Sequence, residues 1–179
     1  MKKAIPIIII IVIYIICCYK INLHFTTKTN IKEKKTPTII KTILPQKEKE
    51  TPIGYLIIEK INLYEELYDM NSKNNNIEKH VTILKESTYP TTKNSTIFIA
   101  AHSGTGKIAY FNNLDKLSIN EKIILKYKEH TYKYTIKNIW ETNKNGTINV
   151  PKENTNQLVL TTCSPKKDGY QLIVNCILT

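Results

Sequence analysis

Between residues 51 and 179 the chain is a succession of short apolar runs broken by turn residues, with little sign of a helical period. Ile53-Gly54-Tyr55-Leu56-Ile57-Ile58 ends at the charged pair Glu59-Lys60, and Thr96-Ile97-Phe98-Ile99-Ala100-Ala101 is a second run of the same kind. Residues 131–140 alternate, with Tyr132, Tyr134 and Ile136 on one face. Asn143-Lys144-Asn145-Gly146 is a turn signal, followed by another extended piece over 147–150. Gln157-Leu158-Val159-Leu160-Thr161-Thr162 and residues 171–178 close the chain as two more strands, separated by 165–169. Short runs of period two, or wholly apolar and bounded by turns, are strands. One helical piece is expected over 108–117, with Phe111, Leu114 and Leu117 on one side, and a short turn over 75–79. Many short strands with little helix give a mainly β domain, a small barrel or a sandwich. A segment this long buries about two-thirds of its unfolded surface, enough for a true core.

The N-terminus is different. Met1-Lys2-Lys3 precedes an apolar run that extends with few interruptions from Ala4 to Leu23. As a helix it reaches about 30 Å, one hydrocarbon thickness. A cleaved signal peptide wants a small-x-small site after the run, and the residues there are Cys17, Cys18, Tyr19 and Lys20. A lipoprotein wants a small residue before the modified cysteine, and Ile16 fills that place. A retained membrane anchor needs neither, and residues 1–23 are read as one. Residues 24–50 are rich in Thr, Lys and Glu and carry Pro37 and Pro45, so they read as a stalk. Lysines flank the run on both sides, and the positive-inside rule taken alone favours the reverse orientation. Lysine is frequent throughout, and large domains translocate largely regardless of charge, so residues 51–179 are expected outside the cell.

The 26 basic against 15 acidic residues give a net charge of +11. Such a balance raises nucleic acid as a partner. Every basic residue is lysine, however, and arginine is absent. Arginine is the residue of bidentate phosphate and guanine recognition. The abundance of Asn, Ile and Tyr points instead to A/T-rich coding, and no nucleic-acid partner is inferred.

Four cysteines occur. Cys17 and Cys18 lie in the apolar run and read as small hydrophobes. Cys176 alternates with Val174 and Leu178 in the last strand and reads as packing. Cys163 ends an apolar strand and opens the polar loop Ser164-Pro165-Lys166-Lys167-Asp168-Gly169. A strand end beside a loop is where a rigid sheet presents a reactive group. An idle thiol, or a Cys163–Cys176 disulfide, is the bland alternative. A thiol nucleophile needs a proton partner, usually histidine. His24 lies in the stalk, His80 in a polar segment and His130 at the tip of a hairpin. His102 ends the run 97–101 and opens Ser103-Gly104-Thr105-Gly106, the same kind of place as Cys163. No C-x-x-C or H-x-x-x-H spacing suggests a metal. Gly104-Thr105-Gly106-Lys107 lacks the first glycine and the spacing of a phosphate-binding loop.

At these residues the chain resembles the sortases, bacterial cysteine transpeptidases of the outer face of the cytoplasmic membrane. Val159-Leu160-Thr161-Thr162-Cys163 is similar to the family's T-L-x-T-C, with Val159 in the first threonine's place. Ile97 to His102 resembles its apolar strand ending in Gly/Ala-His. Phe111, Leu114 and Leu117, then Asn120-Glu121-Lys122-Ile123, resemble its F-x-x-L-x-x-L-x-x-G-D-x-I stretch, and Ile53 to Ile61 its first strand. The compact size is similar to the class A or class D groups. The resemblance implies a small closed β-barrel of about eight strands. It implies Cys163 as nucleophile and acyl carrier, with His102 as general acid and base. The substrate would be an LPxTG-like sorting-signal peptide, and the acceptor an amine of a cell-wall precursor or a pilin lysine. No cofactor is implied. Some relatives bind calcium, and Glu65, Glu66 and Asp69 are a thin case for it here. One departure stands out. The family's arginine, on the strand after the cysteine loop, falls at Gln171. A glutamine amide donates a hydrogen bond to substrate or oxyanion but brings no charge, and Lys166 or Lys167 is the nearby candidate to restore it. Two other readings remain at this point. One is an impaired module that binds sorting signals without joining them. The other is a surface structural domain, which would place Cys163 buried and far from His102.

Overall fold

The computed structural model describes residues 50–179. The anchor expected over 1–23, and the stalk over 24–50 save Glu50, lie outside the described residues. Eight strands form one sheet: β1 (Gly54–Ile58), β2 (Leu63–Leu67), β3 (Thr82–Ile83), β4 (Thr96–Ala100), β5 (Lys122–Tyr127), β6 (His130–Asn143), β7 (Gln157–Cys163) and β8 (Tyr170–Leu178). Their order is β2-β1-β5-β6-β8-β7-β4-β3, and the sheet curls into a nearly closed barrel. Every pairing is antiparallel except β4 with β7.

Alternation decides which side chains enter the barrel. Leu56 and Ile58, Ile97 and Ile99, Ile123 and Leu125, Tyr134 and Ile136, Leu158 and Leu160, and Leu172, Val174 and Cys176 share one core. Each such aliphatic side chain contributes about 1.5–3 kcal/mol on burial. A bulge between Ile136 and Asn138 shifts the register of the long strand β6 against β8. An extra residue there bends and twists the strand, which helps a sheet curl on itself. Phe111, Leu114 and Leu117 are buried against the same core.

The segment carrying these three is not the α-helix expected over 108–117. It is a series of turns with one 3-10 helix, Leu114–Lys116. Its backbone bonds run from Leu114 N–H to Phe111 O, Lys116 N–H to Asn113 O and Leu117 N–H to Leu114 O. The apolar spacing of three is the 3-10 period, and the chain follows it. Residues 147–150, expected as a strand, belong to the loop between β6 and β7. The turn expected near 75–79 is present, closed by Lys79 N–H to Asn76 O.

That β6–β7 loop explains why β7 is apolar on both faces. Val159 and Ile173 are fully buried yet stand outside the core cluster, on the outer face of the sheet. The loop over 144–156 is tied across this face at both ends. Gln157 donates to Pro151 O at 2.9 Å and accepts from Glu153 N–H at 3.2 Å, while Gln171 donates to Thr147 O at 3.3 Å.

Gly54 shows why a glycine opens the first strand. A Cβ built there would lie 2.0 Å from Lys126 O on β5. Backbone cannot yield as a flexible side-chain tip does. Gly54→Ala is therefore expected to cost about 3 kcal/mol, a fall in Tm of about 10 °C for a domain of this size. Thermal unfolding checks it, and a fall of under about 2 °C would contradict the close approach.

Candidate active site

Three neighbouring strands bring the site together through their register. Ala100 pairs with Thr161 in the parallel β4–β7 ladder. Ala101 N–H then bonds Thr161 O at 3.3 Å, so the ladder carries His102 level with Cys163. On the other side of β7, Cys163 pairs directly with Gln171 of β8. Gln171 in turn pairs with Thr142 of β6. Ile97, Ile99 and Ala101 face the core, as do Leu158, Leu160, Leu172 and Val174. Alternation therefore sends His102, Cys163 and Gln171 to the outer face, in one row at the end of the barrel.

Hydroxyls fasten the strand ends. Thr162 Oγ1 donates to Ala101 O at 2.8 Å, and Ser103 Oγ donates to Cys163 O at 2.9 Å. The Cys163 carbonyl is thus tied to the histidine segment, and the carbonyl before His102 to the cysteine strand. Phe111 N–H donates to His102 O at 3.0 Å, and its buried ring holds that bond in place. The threonine beside Cys163 therefore has a physical task in the motif: it bolts the cysteine strand to the histidine strand.

The two side chains are accessible. Cys163 and His102 are both half-buried, and they line one cavity of about 130 Å³ with Ile77, Ala100, Thr161, Lys144 and Gln171. His102 Nε2 is 3.1 Å from Glu78 Oε1. Lys144 Nζ lies 3.2 Å from Cys163 Sγ. Both amide atoms of Gln171 have partners, Thr147 O for Nε2 and Thr161 Oγ1 at 3.5 Å for Oε1. A second cavity of about 290 Å³, beside Phe98 on the same outer face, lies between Leu84 and Glu86 on one side and residues 146–148 on the other.

The remaining candidates fall elsewhere. Cys163 and Cys176 are both free thiols, so the alternative disulfide does not form. They stand on opposite faces of the sheet, Cys163 outside and Cys176 in the core. Burial pushes the Cys176 thiol far up, which makes it inert. His80 stacks near Tyr68, their ring centroids 4.9 Å apart, and His130 begins β6 at its hairpin. Lys167 Nζ sits 3.5 Å from the centroid of the Tyr170 ring, and the Lys166 and Lys167 N–H groups both bond Ser164 Oγ at 3.0 Å. The lysine beside the thiol is thus Lys144. Glu66 accepts from the Tyr68 hydroxyl; Asp69 accepts from Asn71 N–H and the Tyr89 hydroxyl, bonds that hold its carboxyl below the usual range. Among the described residues no three His, Cys, Asp or Glu side chains converge as a metal site.

The contribution of Glu78, Ser103 and Lys144 was not visible in sequence. Ser103 carried a weak signal as the neighbour of His102. Lys144 carried none, being one of many lysines in a turn.

A thiol, an imidazole and an ammonium sharing one open cavity can perform nucleophilic acyl transfer. No curated protein sequence matches the chain significantly. Solved structures match in fold. Sortase C1 from Streptococcus agalactiae is 22% identical, with a TM-score of 0.61 over 72% of this chain and 67% of that one. A lid mutant of sortase A from Corynebacterium diphtheriae is 22% identical, with a TM-score of 0.64 over 75% and 74%. Sortase C from Streptococcus pneumoniae is 22% identical, with a TM-score of 0.64 over 74% and 70%. These neighbours carry both A and C designations, so likeness of fold does not single out one group. The family model for the sortase domain matches residues 56–178, most of the chain and all eight strands in whole or part. The chain therefore belongs to the sortase family, whose members are cysteine transpeptidases.

Proposed function

We propose that this chain is an active transpeptidase that cleaves an LPxTG-like sorting signal and passes the acyl group to an amine. The observation that carries the reading is the row of His102, Cys163 and Gln171 at the open end of the barrel, fastened by Thr162 and Ser103. Cys163 gives its thiol proton to His102, and Sγ attacks the scissile carbonyl. The carbon–nitrogen bond breaks, His102 protonates the departing amine, and a thioacyl-enzyme remains. His102 then takes a proton from the incoming amine as it attacks the thioester. Gln171 fixes the β6–β7 loop through Thr147 O, and its second amide N–H is left to donate to substrate. The outer-face cavities, with Ala100, Phe98 and Ile148 among their linings, suit the apolar residues of an extended peptide.

The acceptor is a cell-wall precursor or a pilin lysine. The pneumococcal sortase C neighbour is described by its pilin substrate specificity, which supports the second. The apolar run over 1–23 supports a single-pass membrane anchor with the catalytic domain outside the cytoplasm. Tethering enzyme, substrate and acceptor to one surface raises effective concentration.

Absence of arginine favours a second reading, a module that binds sorting signals without joining them. Incubating the full chain with sorting-signal peptides and hydroxylamine separates the two. Peptide hydroxamate is the expected product. Peptide binding without hydroxamate would establish the second reading instead.

Glu78 orients His102 from solvent, and its carboxylate is largely exposed. Exposed ion pairs contribute little. Glu78→Gln is therefore expected to lower hydroxamate formation by less than about fivefold. A loss of 100-fold or more, on the order of a proton-transfer defect, would mean that Glu78 takes part in the chemistry.

A further inference from the structure

We propose that Lys144 is a catalytic residue, its ammonium donating to the Cys163 sulfur before attack and then to the oxygen that becomes negative during attack. The inference rests on the transpeptidase reading above and adds to it the source of positive charge in a chain without arginine.

Four observations carry it. Lys144 Nζ is 3.2 Å from Cys163 Sγ, hydrogen-bond range for sulfur. The ammonium is absent from the three ion pairs among the described residues, Lys60–Glu121, His102–Glu78 and Lys137–Glu153. Its backbone is fixed, because Lys144 N–H donates to Gly169 O at 2.8 Å and thereby joins the end of β6 to the loop that follows Cys163. Other sources of charge fall short: Lys167 lies over the Tyr170 ring, and Gln171 carries no charge.

The geometry suits the chemistry. Thiolate, not thiol, is the nucleophile, and a cation beside sulfur favours it. A lysine ammonium is a compact charge with three donors on a flexible stem. It can bond sulfur before attack and turn a donor toward the carbonyl oxygen as charge moves there. In the first half-reaction the sulfur–carbon bond forms and the carbonyl π pair shifts to oxygen. Collapse restores the carbonyl and breaks the carbon–nitrogen bond, and the proton for the leaving nitrogen comes from His102. In the second half the incoming amine attacks the thioester carbon and gives its proton to His102; the new carbon–nitrogen bond forms, the sulfur–carbon bond breaks, and the Cys163 sulfur is released to start again. Lys144 keeps all three protons throughout and only changes hydrogen-bond partner.

The test uses the full chain in detergent, with Lys144→Gln and Lys144→Arg. The first readout needs no peptide substrate: iodoacetamide alkylation of Cys163 against pH, followed by peptide mapping. Cys176, buried in the core, should stay unmodified in every variant and so reports an intact fold. Lys144→Gln, which removes the cation 3.2 Å from the sulfur, should slow alkylation of Cys163 measurably at pH 7. Lys144→Arg should stay near the parent. The second readout is hydroxamate formation. Lys144→Gln should lower kcat about 100-fold with KM little changed, as for a lost oxyanion donor, and Lys144→Arg should recover most of it. An unchanged alkylation profile and an unchanged kcat in Lys144→Gln would overturn the inference while leaving the transpeptidase reading intact. Slower alkylation in Lys144→Gln, together with a parent that processes no peptide, would overturn the transpeptidase reading and with it the catalytic role, leaving only a lysine–sulfur contact.

Discussion

Cys163→Ala is expected to abolish hydroxamate formation, a loss on the order of 10⁴-fold or more. The reason lies in what the side chain does in the structure. It sits half-buried at the end of β7, outside the core cluster, and its sulfur faces a cavity. Removing the sulfur leaves the hydrogen bonds that fasten the strand end, since Ser103 Oγ reaches the Cys163 carbonyl and Thr162 Oγ1 reaches Ala101 O. The fold should persist, with Tm changed by less than about 3 °C, as for a substitution costing well under 1 kcal/mol. Peptide affinity should change little, because the rest of the cavity is intact. Activity and stability are thereby separated. Assay by mass spectrometry beside a thermal melt checks both, and a stable variant that keeps even 1% of the parent rate would remove Cys163 as the nucleophile.

His102→Gln is the second large effect. Expelling an amine from a tetrahedral intermediate requires a proton, and positioned acid–base catalysis is worth about 10²–10⁴-fold. His102 is placed for that by the parallel register that sets it level with Cys163 and by the bond from Phe111 N–H to its carbonyl. Glutamine roughly fills the volume and still donates a hydrogen bond, but it transfers no proton. Turnover of a peptide amide should fall by about 10²–10⁴. A peptide ester with a good leaving group needs less acid assistance, so its rate should fall much less. Equal losses on amide and ester would contradict the general-acid role and point to an effect on the thiol instead.

Much of this was legible before any coordinates. The strands bearing Cys163 and His102 stood out as short apolar runs ending in polar loops, and both residues lie where those runs end. Gln171 stands out only through the resemblance, at the place of the family's arginine, and the antiparallel register pairs it with Cys163. The alternation of Tyr132, Tyr134 and Ile136 was also readable, because only one face of β6 enters the barrel. Other features were hidden for definite reasons. The apolar spacing of Phe111, Leu114 and Leu117 fits a 3-10 turn as well as a helix, and backbone bonds decide between them. Strand β5 is hidden in the sequence, since Lys122-Ile123-Ile124-Leu125-Lys126 breaks strict alternation. Residues 147–150 have strand composition but lie in a loop tied down by Gln157 and Gln171, a long-range effect that no local pattern encodes. Lys144 was invisible for the same reason. Its meaning comes from a tertiary approach to Cys163, and composition hid it among the lysines.

These residues make one connected account. Register brings a thiol and an imidazole side by side, hydroxyls lock the strand ends, and a lysine brings charge to the sulfur. In this arrangement Cys163 carries the acyl group between donor and acceptor. The most direct measurement mixes the full chain with a sorting-signal peptide, quenches in acid and weighs the intact protein. The account predicts a mass increase equal to the peptide fragment before the cleaved bond, mapped to Cys163 and discharged by hydroxylamine. Peptide cleavage with no such adduct, continuing undiminished in Cys163→Ala, would contradict it.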